Sequence, residues 1–326
     1  MATMAQMTLP AIAIGRYGFT LRPQGPAVLP DYPGPMLRGA FGQALKRVVC
    51  VVEHRDCSRC IVQARCHYPY IFETSPPKPL PTLPGLTDAP VPFVLDVCPT
   101  SYTPRPTPDA PLRFGLTVIG VRANQGLKYV IEAVSEMARA GLGRDRVRFR
   151  LTEVQPLDAA GGPAAGVRPL AELVAARVAA LTPMGRVRVR FESPTRIRVR
   201  GDLQADITFG VLARNLLRRL VLLSEVHGDG HPAWDVRLAL AAADAVQTEH
   251  RRLRWLDWAR WSSRQQQRLR LGGLLGEVVF GGGDLGWFAT LLAVGEHLHI
   301  GTGTSMGLGR MRVERLDAGS ATEASA

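Results

Sequence analysis

No stretch of this chain stays apolar for the ~18–20 residues that a membrane-spanning helix needs. The opening MATMAQMTLP has neither the charged start nor the long apolar centre of a secretory signal. Both lacks point to the cytoplasm and to no membrane partner. Nor does a Lys-Ser/Thr pair open a helix after a glycine-rich turn, so a Walker-type phosphate loop is excluded. Carboxylates are in deficit: 28 Asp plus Glu against 40 Lys plus Arg leave a formal net charge of +12. Such a balance favours a polyanionic partner held in a salt-sensitive way, with nucleic acid first. Cysteine is sparse, five in 326 residues, which is no disulfide framework.

What is present is enough apolar residue, 46%, for two domains with separate cores. The stretch that stands out is Gly301 to Arg310, GTGTSMGLGR. Gly301, Gly303, Gly307 and Gly309 free the backbone for positive φ and close approach, Thr302, Thr304 and Ser305 offer hydroxyls, and Arg310 a guanidinium. Such a loop suits phosphates; a tight helix-to-strand turn is the plainer reading.

The alternating segment Pro10–Leu21 reads as a strand, and Met36–Val49 as an amphipathic helix started by Pro35. That helix's outer face carries Arg38, Gly39, Gly42, Gln43, Lys46 and Arg47, a surface for RNA or for a close helix contact. Cys50, Cys57, Cys60 and Cys66 follow in the pattern C-x6-C-x2-C-x5-C. A CxxC knuckle with two outer thiolates fits a structural zinc, with His54 and His67 as substitute ligands. A four-iron cluster takes the same donors, and metal-free buried cysteines are a third reading. Strands at Val91–Cys98, Leu112–Ile119 and Val147–Val154, with a helix at Leu127–Ala140, complete a β-α-β-β-α-β half.

AAGGPAAG at Ala159–Gly166 marks a linker. Beyond it Arg186, Arg188 and Arg190, then Arg196, Arg198 and Arg200, alternate with apolar residues. With Arg146, Arg148, Arg150, Arg268 and Arg270 they predict a basic sheet face lacking carboxylates on its strands. Helices are expected at Phe209–Val226, at Trp234–Gln247, and from Asp284 as cap to His299. The segment Arg251–Gln267 has tryptophans at three-residue spacing, which fits a buried helical stripe or base-stacking rings. The fold class is thus α+β: two tandem ferredoxin-like (RRM-like) domains, 1–160 with the four-cysteine insertion and 167–326 with the glycine-rich loop.

Taken together, LRGAFGQALKRVVC with the four cysteines and HYPYIFE, then SPTRIR, WSSRQ with LGGLLGEVVF, and GEHLHIGTGTSMGLGR, resemble the precursor-crRNA-processing endoribonucleases of the RAMP superfamily. The resemblance runs from residue 36 to 313. It implies RNA held across two ferredoxin-like domains and metal-independent cleavage of CRISPR repeats. In that reaction the 2′-hydroxyl attacks the adjacent phosphate, leaving a cyclic phosphate and a 5′-hydroxyl. Ser263, Arg264 and Gln265 match the family's SSRQ motif and are expected to hold RNA or the loop. Where close relatives often have histidine this chain has Gln43, which shuttles no protons. Lys46 is then expected to stabilise the transition state, with His227 as proton carrier; His299 is a third candidate. The alternative is a weak or inactive crRNA-binding subunit of a CRISPR effector complex.

Overall fold

The computed structural model describes residues 7–52, 56–76, 80, 89–97, 100–164, 166–199, 201–232, 234–262, 267–283 and 285–316, the side chains of 258–262 and 267–271 excepted. The first half runs β1 (Ala13–Pro23), α1 (Gly34–Val49), α2 (His67–Phe72), β2 (Phe93–Asp96), β3 (Leu112–Ile119), α3 (Val121–Gln125), α4 (Leu127–Ala140) and β4 (Phe149–Pro156). Its antiparallel sheet is ordered β2-β3-β1-β4. Alternation in β1 turns Tyr17, Phe19 and Leu21 toward the helices, where they meet Leu37, Phe41 and Leu45 of α1 and Val130, Val134 and Met137 of α4. The 3–4 residue spacing of those α4 residues makes the helix, and Gly141, at φ 89°, ends it.

The second half opens with β5 (Arg168–Pro169), which pairs with β1, and α5 (Leu170–Leu181). There follow β6 (Arg186–Thr195), the short pair β7 (Arg198–Val199) and β8 (Asp202–Leu203), α6 (Phe209–His227), α7 (Val236–Asp244), β9 (Gln247–Ser262), β10 (Gln267–Gly281), α8 (Ala289–Leu298) and β11 (Met311–Leu316). The sheet order is β11-β6-β10-β9. Numbering the four long strands within each half, both sheets run fourth, first, third, second, so both halves are ferredoxin-like. The two cores meet: Ile12, Ile14, Val94 and Ile119 of the first half pack with Phe209, Leu216 and Ile300 of the second. Among the described residues no helix is long and apolar enough to cross a membrane.

Two expectations are corrected here. The tryptophan segment is not helical: β9 pairs with β10 from Gln247↔Gly281 to Ser262↔Gln267. Positions three apart fall on opposite faces of a strand, so the helical stripe dissolves; Trp255 is 41% exposed. The arginine face does carry carboxylates, supplied by neighbouring strands. Arg186 pairs with Glu249 at 2.7 Å, Arg188 with Glu314 at 2.8 Å and Arg190 with Glu277 at 3.1 Å. Of the earlier arginines, Arg146 lies in a turn at φ 49° and only Arg150 falls within β4. Arg219 of α6 reaches inward to donate from Nε to the Leu298 carbonyl at the end of α8 (2.9 Å).

Candidate functional site

The glycine-rich loop is the place where the halves clasp each other. All four of its expected glycines have positive φ, between 74° and 83°. At Gly309 a Cβ would stand 1.7 Å from the Ile300 carbonyl oxygen, because Ile300 N–H donates to Gly309 O at 2.8 Å and draws the two ends of the loop together. Across the interface Gly34, in the first turn of α1, lets the Met306 carbonyl come within 1.9 Å of where its Cβ would be. Tyr32 Oη donates to that same carbonyl (2.9 Å) and Arg38 Nε to Ser305 Oγ (3.0 Å).

From the second half, Asn215 Oδ1 accepts from Gly301 N–H (3.0 Å), and the Arg196 carbonyl accepts from Thr302 N–H (2.9 Å). Ser193 Oγ donates to Gly307 O and accepts from Arg310 N–H, both at 2.8 Å. The loop is therefore half inside: Thr304, Ser305, Gly307 and Gly309 are buried, while Thr302 is exposed and Gly301 and Gly303 are half-buried. What solvent meets is a backbone edge, Gly301–Gly303, with Arg38 of α1 bonded to the loop on the first-half side. On the other side the loop meets the backbone of Arg196, whose guanidinium donates to the Gly272 carbonyl of β10, and Arg198 is exposed.

The remaining expected site residues divide. Along α1, Gln43 and Arg47 are exposed and Lys46 is half-buried; Arg47 pairs with Glu136 at 3.2 Å. Arg38 and Lys46 are eight residues apart on one face, about 12 Å along the helix axis. Lys46 sits over the Tyr68 ring, Nζ 5.0 Å from its centroid, and lines one cavity with all four cysteines. Gly42 receives the Phe72 ring, which comes within 2.9 Å of where a Cβ would stand, whereas Gly39 faces open space. Arg310 is turned inward, bonded to Asp96 of β2 and to Glu192 at 2.7 Å. Burial works against its charge, but Asp96 and Glu192 more than offset this and raise its pKa. Ser263, Arg264 and Gln265 lie outside the described residues, as do His54, Arg200 and Asp284.

His227 closes α6, and both ring nitrogens are engaged. Nε2 donates to the Pro90 carbonyl at 2.7 Å and Nδ1 accepts from Tyr70 Oη at 2.9 Å. Burial pulls its pKa down to about 4, so the ring is a neutral bridge between α6 and α2 rather than an exposed proton carrier. His299 lies beneath the loop with Nδ1 donating to Leu308 O at 3.1 Å, and burial pulls it to about 4 as well.

Reading the sequence missed Tyr32, Asp96, Glu192 and Asn215. Asp96 left a signal, a lone polar residue inside the apolar run FVLDV, whereas Asn215, beside Arg214 in VLARNLL, did not stand out. Tyr32 left none.

Comparison with known proteins adds the following. A family model described as CRISPR-associated endoribonuclease Cas6 matches residues 189–311, and one described as an N-terminal domain matches residues 9–179. Among solved structures, Thermus thermophilus Cas6 aligns at 17% identity and TM-score 0.55, covering 96% of this chain and 100% of that one. A Cas6 product complex aligns at 17% and 0.56, covering 95% and 100%. A Cas6 substrate mimic complex aligns at 17% and 0.51, covering 93% and 99%. These structures carry the fold. No curated protein matches the chain at a significant level.

Proposed function

We propose that this chain, whose residues 189–311 match the model of the CRISPR-associated endoribonuclease Cas6 and whose fold is that of Cas6 structures, cleaves precursor CRISPR RNA within the repeats to give mature crRNAs, without a catalytic metal. The observation that carries this reading is the half-exposed Gly301–Gly303 edge set between Arg38 and Arg196. Bare glycine backbone that admits close approach, with guanidiniums on neighbouring residues, is what a phosphate chain needs at close range. In this reading the RNA crosses the loop from Arg196 and Arg198 and continues along the outer face of α1 past Gln43 to Lys46.

The 2′-hydroxyl of one nucleotide attacks the adjacent phosphorus and the 5′-oxygen of the next leaves, giving a 2′,3′-cyclic phosphate and a 5′-hydroxyl. Lys46 steadies the added negative charge, and Gln43 can donate an amide hydrogen bond but carries no proton across. Holding the hydroxyl in line with the leaving oxygen supplies much of the rate. With His227 bonded on both sides, no described histidine of this face serves as acid or base.

The test is incubation of the protein with labelled RNA of its own repeat, in chelator, beside a substrate carrying a single 2′-deoxy at the cut site. Cleavage at one position that survives chelator and is abolished by the 2′-deoxy is expected. Tight, salt-sensitive binding with no cleavage would overturn the nuclease reading and leave a crRNA-holding subunit.

A further inference from the structure

Residues 50–52 and 56–66 have no core of their own. They are built of two 3-10 turns, Cys57–Arg59 and Gln63–Arg65, neither of which buries a residue. The apolar side chains Val51 and Ile61 are 86% and 96% exposed. A stretch this poor in buried apolar area needs another staple to hold one shape.

The four cysteines occupy the structural joints of the segment. Cys50 caps the C-terminus of α1, Cys57 and Cys60 open and close the first turn, with Cys60 N–H donating to Cys57 O at 3.3 Å, and Cys66 is the N-cap of α2. All four are free thiols, all are half-buried, and all line one cavity of about 20 Å³, room for about one water-sized particle. His67 does not line it; its ring packs on Tyr129, centroids 5.0 Å apart.

We propose that Cys50, Cys57, Cys60 and Cys66 bind one structural zinc ion as a tetrathiolate. Among the described residues no three His, Cys, Asp or Glu side chains stand grouped to hold a metal ion, so binding must rotate the sulfurs inward around the cavity and release thiol protons. Lys46, which lines the same cavity, places a positive charge beside a site that carries a net charge of −2 once filled. The ion clamps the end of α1 to the start of α2. Through α2 it fixes Tyr70, and so the bond from Tyr70 to His227 that joins the halves. This inference does not depend on the RNA reading.

The experiment uses the full chain purified without chelator. One zinc per chain is expected by metal mass spectrometry, released by a thiol-reactive mercurial in step with four thiols. Cobalt in its place should give the intense sulfur-to-metal and ligand-field bands of a tetrathiolate. Cys57→Ser and Cys60→Ser should each lose the ion and lower Tm by several degrees, whereas Cys98→Ser should keep it. Should the serine variants aggregate, the mercurial titration of the unaltered chain decides alone. A reduced chain that contains no zinc and takes up no cobalt overturns the proposal, as does iron with inorganic sulfide.

Discussion

Replacing Gly309 by alanine tests the architecture of the loop. A non-glycine residue at φ 74° costs about 1–2 kcal/mol. The new methyl would start 1.7 Å from the Ile300 carbonyl oxygen, so the loop ends must separate by more than an ångström. Separation breaks the 2.8 Å bond from Ile300 N–H to Gly309 O, worth about 1 kcal/mol. The sum is a loss of about 2–3 kcal/mol, read by urea denaturation. A displacement of this size at the RNA-facing edge should slow single-turnover cleavage on the order of 100-fold. Gly39→Ala is the contrast: its Cβ meets open space, and alanine should stabilise α1 by about 1 kcal/mol. Gly309→Ala with unchanged denaturation midpoint and unchanged cleavage would refute the reasoning.

Acid should destabilise the protein in a defined window. Burial holds His227, His297 and His299 neutral, at about 4, about 3 and about 4 against 6.5 for a free imidazole. The unfolded chain therefore protonates first; the stability these rings contribute is complete above pH 6.5 and drains away as pH falls toward 4, by up to ~1.4 kcal/mol per unit per ring. A Tm flat through that interval would contradict their burial. Asp96→Ala should cost about 2 kcal/mol, less than a fully buried pair, because it strips Arg310 of one of its two carboxylates at a partly exposed site; an unchanged urea midpoint would show the clasp to be idle.

Elements with one strong period were legible. The sequence reading of α4 as Leu127–Ala140 and β3 as Leu112–Ile119 coincides with the fold, because α4 buries a single face at helical spacing and β3 is a short, mostly apolar run bounded by Pro111 and Gly120. The β9–β10 hairpin was not legible as such. Its tryptophan spacing mimics a helix, and only the ladder to β10, fifteen residue pairs long, overrides it. The arginine strands misled for a related reason: Glu249, Glu277 and Glu314 are 63 or more positions away in sequence from the arginines they neutralise, yet adjacent across the sheet. The loop was visible as glycines and hydroxyls, but its braces Tyr32, Asn215 and Asp96 come from three distant elements that the chain order does not bring together.

The most direct test of the site is the salt dependence of repeat-RNA binding by Arg38→Ala and Arg196→Ala, with Tm checked for each. If both guanidiniums meet phosphates beside the Gly301–Gly303 edge, each substitution weakens binding and lowers the slope of log K against log salt by about 0.7–1. Wild-type affinity and slope in both variants would show that the RNA does not cross this face.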